Sequence, residues 1–182
     1  MKRILIFLVL TLQLFLFTSC KDINNSNITV LKTGITMDNF SISVPEDYEE
    51  TSSDYIDKYF IKDNSASIIV TSDKNIFQYN NISQYYENSV QQYQSTFDEF
   101  KEISTEDIVI DNKYNAKLSE FSYTIASEEK NIEMSCYVEY ILSPTCVYII
   151  TCSAPSDTYQ SYKDDFVKSI NSVEFKWYHN IG

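Results

Sequence analysis

Glycine and histidine are nearly absent from this 182-residue chain, which holds two of the first and one of the second. Gly34 alone cannot build a phosphate-cradling loop, so nucleotide-binding fingerprints are excluded. A Ser–His or Cys–His nucleophile pair needs a positioned imidazole, and the only candidate, His179, stands beside the C-terminus as a tail residue. Basic residues are also scarce, 14 against 26 acidic ones, for a formal charge of −12. Such a surface is repelled by phosphate backbones and anionic headgroups, which argues against nucleic acid as a partner. No CxxC occurs among the four cysteines, which leaves zinc poorly served. Acidic residues are numerous enough to hide a carboxylate pair, but no spacing sets one apart from solvated surface. The chain therefore reads as non-catalytic, with no metal and no cofactor.

What is present begins with the first twenty residues, MKRILIFLVLTLQLFLFTSC. Lys2 and Arg3 form a positive n-region, Ile4 to Phe17 an apolar stretch, and Thr18-Ser19 a small pair before Cys20. The segment resembles the lipobox of signal peptidase II substrates, with Phe17 where that pattern prefers Leu. The resemblance implies removal of residues 1–19 and a lipid on Cys20, which holds the chain on the extracytoplasmic face of the cell membrane. Losing Lys2 and Arg3 brings the charge to −14. A transmembrane anchor is the competing reading, but about 14 apolar residues fall short of the roughly 18–20 a span needs. A simple secreted signal is the other.

Cys20 apart, the cysteines are Cys136, Cys146 and Cys152, an odd number in a compartment where disulfides form. Cys136 lies in the alternating run Ile132, Met134, Cys136, Val138, Tyr140, and the other two lie in the next apolar run, TCVYIITCSA. A three-residue hairpin loop at Ser143-Pro144-Thr145 sets Cys136 opposite Cys152 on one sheet face, where a bridge can form. A change of one residue in loop length abolishes that pairing. The favoured reading is three reduced thiols serving as small core hydrophobes, with the bridge as the alternative.

Along the chain, residues 20–27 are the lipidated Cys and a polar tether, and one domain is expected over 28–182. Phe40, Ile42 and Val44 alternate with serines in a strand ended by Pro45. Tyr55 to Lys62 and Ser67 to Ser72 read as a hairpin turned at Asp63-Asn64-Ser65. From Ser83 as N-cap, Tyr86, Val90, Tyr93, Phe97 and Phe100 recur at helical steps, predicting an amphipathic helix of about 17–19 residues. Strands are predicted over Ser104 to Ile110, Ala116 to Ala126, Ile132 to Leu142 and Cys146 to Ser153. A second helix, capped at Ser156 or Asp157, carries Tyr159, Tyr162, Phe166 and Ile170 on one face, and Val173 to Trp177 closes the chain as a strand. Adjacent strands with hairpin-length loops predict an α+β fold, a central antiparallel β-sheet covered by two amphipathic helices.

Three stretches carry a resemblance to a known group. Phe40-Ser41-Ile42-Ser43-Val44-Pro45-Glu46-Asp47-Tyr48 looks like an aromatic-led strand running into Val-Pro and an aromatic. Residues 162–175, YKDDFVKSINSVEF, look like a closing helix, a Ser-containing link and a final strand. Residues 110–116, IDNKYNA, look like a turn before a central strand, with Asn112 where glycine is common; Asn also adopts positive φ. The layout of residues 36–177 resembles the PsbP/DcrB-like superfamily. That resemblance implies a non-catalytic accessory, adaptor or ligand-binding lipoprotein.

Two groups of residues are candidates for contacts. Glu46, Asp47, Glu49, Glu50, Asp54 and Asp57 offer oxygens to Ca²⁺ but match no EF-hand spacing, and a solvated acidic loop is the simpler reading. Most aromatics sit at core spacing, whereas Tyr48, Tyr79, Tyr85, Tyr114 and Tyr178 fall outside it and are candidate contact residues, since an exposed tyrosine supplies rigid contact area. The expected role is a protein-interaction or accessory module at the cell envelope, with an envelope protein as partner. Capture of a small ligand or envelope glycan is the alternative.

Overall fold

The computed structural model describes residues 29–31, 34–37, 40–53, 56–74, 79, 81–126 and 130–175. Among these residues the strands are β1 (Thr29–Leu31), β2 (Gly34–Met37), β3 (Phe40–Ser43), β4 (Glu49–Thr51), β5 (Lys58–Lys62), β6 (Ala66–Asp73), β7 (Asp98–Ile110), β8 (Tyr114–Ile125), β9 (Ile132–Leu142), β10 (Val147–Pro155) and β11 (Glu174–Phe175). Helix α1 (Ile82–Thr96) lies between β6 and β7, and α2 (Tyr159–Asn171) between β10 and β11. All pairings are antiparallel, in a seven-stranded sheet ordered β4-β5-β6-β10-β9-β8-β7 and a four-stranded one ordered β1-β2-β3-β11. The architecture is the α+β one expected, with a large antiparallel sheet and two helices.

The period of two along each strand divides the large sheet into two faces. Met134, Cys136, Val138 and Tyr140 of β9 join Phe121, Tyr123 and Ile125 of β8 and Val147 and Ile149 of β10. Ile82, Tyr85, Tyr86 and Tyr93 of α1 cover that face. The opposite face shows Ala116, Leu118, Ile141, Tyr148, Ile150, Cys152 and Ala154, covered by Tyr159, Phe166 and Ile170 of α2 and by Phe40, Ile42 and Phe175 of the small sheet. Phe40 stacks on Tyr148 at 4.6 Å and Phe175 on Tyr114 at 4.0 Å, which seats the small sheet beside α2. Strands β8, β9 and β10 are buried on both faces, hence their dense apolar runs.

Local signals explain most boundaries, but the start of each helix and the junction between α1 and β7 need correction. The N-cap of α1 is Asn81, whose Oδ1 accepts from Gln84 N–H at 2.9 Å, two residues before the expected Ser83. The helix stops at Thr96. Phe97 is already extended (φ −113°, ψ 144°), and Phe100 belongs to β7, which starts at Asp98 rather than Ser104. Their rings still pack in the α1 layer, Phe97 on Tyr123 at 4.2 Å and Phe100 on Phe121 at 5.3 Å, so the aromatic spacing ran on past the helix. The N-cap of α2 is Thr158, not Ser156 or Asp157, and its side chain makes no capping bond.

Turns follow their chemistry. Asp63 and Asn64, and Asp111 and Asn112, take positive φ in pairs (54° and 51°; 51° and 54°). Ser65 N–H donates to the Lys62 carbonyl and Lys113 N–H to that of Ile110, each at 3.0 Å.

Candidate functional site

One long edge of the large sheet is left uncovered by the helices among the described residues. Among the described residues strand β7, thirteen residues long, ends the large sheet and pairs only with β8, whereas β4 at the other end has three residues. Along β7 residues 101–107 are all exposed. The exposed large hydrophobics among the described residues are Ile103 and Val109, at 54% and 56%, and both lie on β7. Register shifts after Asp98 and after Glu102, with Glu99 at φ 51°, bulge the first half. From Ser104, opposite Glu120, to Ile110, opposite Tyr114, the ladder is regular. Polar bonds fix this strand on the sheet: Tyr86 Oη donates to Glu102 at 2.5 Å, Thr124 Oγ1 to Glu99 at 2.7 Å, and Lys117 pairs with Asp107 at 2.9 Å.

A second feature lies inside. Glu139 sits at the centre of β9 between Leu118 of β8 and Ile150 of β10, wholly buried, and neither carboxylate oxygen has a hydrogen-bond partner. Burial among apolar neighbours pushes its carboxyl up to about 8, so it is mostly protonated at neutral pH. The Tyr48 hydroxyl and Ser169 Oγ are also buried with no hydrogen-bond partner among the described residues. Desolvation raises the phenols of Tyr48 and Tyr159, which also lie near the carboxylates of Asp165 and Glu120 respectively. At the margin of this core Lys163 Nζ binds both oxygens of Glu120 at 2.6 and 2.8 Å, and lies 5.7 Å from the Tyr159 ring centre. A single carboxyl in such a setting can hold or release one proton.

Glu139 and the β7 edge are absent from the residues singled out in the sequence. One signal for the first was there: position 139 interrupts the run from Cys136 to Leu142. A charged residue midway along a strand is buried only if that strand is central, and strand order is not written in the run.

Of the expected contact tyrosines, Tyr48, Tyr85 and Tyr114 are buried in the core, so the exposure on which that expectation rested is absent for them. Tyr48 and Tyr114 pack in the α2-side core, and Tyr85, on the buried face of α1, donates from Oη to Asp73 at 3.1 Å. Their spacing looked irregular because they cap layers formed by residues distant in sequence. Tyr79 is half-buried and stacks edge-on against Tyr85 at 4.9 Å. Tyr178, His179, Cys20, the leader and the tether lie outside the described residues.

The possible Cys136–Cys152 bridge is corrected in favour of the reduced core thiols, the favoured reading. Leu142 pairs with Val147, so the loop has four residues, Ser143 to Cys146, and Cys136 faces Ser153 while Cys152 faces Tyr137. The extra residue turns the two thiols to opposite faces of the sheet, and Cys136, Cys146 and Cys152 are free and buried. The acidic loop does not converge either. Asp47 pairs with Lys62, Glu50 with Lys58, Glu49 and Glu50 are neighbours on a strand and point to opposite faces, and Asp54 lies outside the described residues. Asp57 is partly buried beside Ser72, and desolvation raises its carboxyl.

No family model matches the chain, and a search of curated proteins returns no match. Solved structures do match. Cyanobacterial PsbP (CyanoP) of Synechocystis aligns with a TM-score of 0.56 at 13% identity, over 86% of this chain and 97% of that one. LpqN, involved in cell envelope biogenesis of Mycobacterium tuberculosis, gives 0.53 at 10% identity, over 76% and 83%. The Saccharomyces cerevisiae Ran-binding protein Mog1p gives 0.55 at 7% identity, over 75% and 90%. At such identities the likeness is one of architecture: the chain has a PsbP-like α+β fold.

Proposed function

We propose that this chain is a non-catalytic module, tethered by a lipid on Cys20 to the extracytoplasmic face of the cell membrane, that binds a protein partner. The observation that carries the reading is the long exposed edge of β7, with Ile103 and Val109 on it, in a sheet whose two faces are otherwise covered. Use of this fold in LpqN, involved in cell envelope biogenesis, and in a Ran-binding protein agrees with it. The poverty in histidine and glycine supports the absence of catalysis.

The test is capture from crosslinked envelope fractions with the whole chain in mild detergent, tagged at the C-terminus, with heat-unfolded chain as control. One protein recovered in near-stoichiometric amount supports the reading, and an empty capture sinks it. The anchor is tested separately: Cys20→Ser should release the chain from membranes. A second reading, capture of a small ligand or glycan, is favoured by the buried polar groups of Tyr48, Glu139 and Ser169 on the α2 side, which have no hydrogen-bond partner among the described residues. It calls for a thermal shift with low-molecular-weight extract.

A further inference from the structure

The two halves of β7 differ in what they can accept. The bulged half is a poor template, because its ladder is twice interrupted. Ser104–Ile110 is regular, and no strand pairs with its outer side among the described residues, so its outward amides and carbonyls face water. Such an edge accepts another strand through main-chain hydrogen bonds, while side chains on both faces choose which.

Those side chains form two blocks. Glu106 and Asp107 are exposed, on opposite faces of the strand; Asp107 pairs with Lys117, and Glu106 has no ion pair among the described residues. Ile108, Val109 and Ile110 follow, Val109 more than half exposed and the flanking isoleucines partly so. A second copy of the chain would bring a like-charged edge against this one, within a molecule of formal charge −12. A basic segment gains attraction at the same positions.

We propose that Ser104–Ile110 takes up an extended segment of a partner protein as an added antiparallel strand, the segment carrying three β-branched residues followed by two basic ones. In that register the apolar trio lies against Ile110, Val109 and Ile108, and the basic pair against Asp107 and Glu106. The inference rests on the protein-binding reading above and names the chemistry of the partner.

The probe is a fluorescein-labelled peptide, Val-Ile-Val-Lys-Arg-Thr-Ser, capped at both ends and titrated with the whole chain in mild detergent at low salt. Binding is expected, with amide exchange slowed across Ser104–Ile110. Glu106→Lys should weaken it about tenfold or more, and a peptide with Glu-Glu for Lys-Arg should not bind. Both Glu106→Lys and a second variant, Val109→Lys, alter exposed side chains and are checked for an unchanged urea midpoint. No binding by the basic peptide, equal binding by the acidic one, or protection confined to another segment overturns the proposal. A captured envelope partner whose footprint avoids β7 overturns it too but leaves the module reading standing. An empty capture ends the module reading whatever the peptide does.

Discussion

Glu139 faces Leu118 across the β8–β9 ladder, a wholly buried carboxyl set opposite an aliphatic residue. The fold therefore prefers the protonated acid. Its carboxyl, ordinarily near 4.5, is raised by burial to about 8, so between those values the folded chain holds a proton that the unfolded chain has lost. Stability from this group is complete below about 4.5 and declines as pH rises toward about 8. Glu139→Leu should remove that decline, matching the parent within about 1.5 kcal/mol at pH 4.5 and exceeding it by a few kcal/mol at pH 8. Urea midpoints across that range decide it; parallel curves for the two proteins would contradict the assignment. Asp57, also raised by burial, remains in both proteins and cancels from the comparison.

The Lys163–Glu120 pair pins α2 to the sheet at its margin. Lys163→Met takes the ammonium away from Glu120 and from the Tyr159 ring, leaves Glu120 without its cation in a partly buried setting, and should cost about 1–2 kcal/mol. Glu120→Gln in the same background should recover part of that loss. A double-mutant cycle with a coupling near zero would mean the pair contributes nothing to stability.

Positive φ at two consecutive positions makes Asn64 and Asn112 sensitive to a Cβ without a polar cap. Replacing either with Ala should lower stability by about 1 kcal/mol, while Gly should be neutral or better, because it enters that region without steric cost. Thermal melts of the four single variants separate a backbone effect from loss of a side-chain contact.

Ser143 organises the loop that sets the register of β9 and β10. Its Oγ accepts from Cys146 N–H at 3.0 Å and donates to the Cys146 carbonyl at 2.8 Å, all buried. Ser143→Ala leaves the Cys146 amide without its side-chain acceptor and should cost about 1–3 kcal/mol, measured by urea unfolding.

How far the sequence could be read depends on which residues decided each element. Strands β8 to β10 and helix α2 were legible within a few residues, because Ile132 to Tyr140 and Tyr159 to Ile170 each present one unbroken period. The end of α1 was not, since Phe97 and Phe100 serve the same aromatic layer from an extended backbone and mimic helical spacing. The cysteine pairing failed on a single residue of loop length, which periodicity cannot see because it is set by how Ser143 binds Cys146. Glu139 and the β7 edge depend on strand order, which emerges only when distant segments pair. Tyr48, Tyr85 and Tyr114 misled for the same reason.

Cys136 and Cys152, separated by the thickness of one sheet, make the two halves of the molecule independently observable. Each thiol is fully buried and pushed upward by desolvation, Cys136 to about 12, so neither reacts with an alkylating reagent until its own covering layer lifts. In a chain carrying Cys20→Ser and Cys146→Ala, the labelling rate of Cys136 would report excursions of α1, and that of Cys152 excursions of α2 and the small sheet. Unequal rates under native conditions would show that the molecule opens one side at a time.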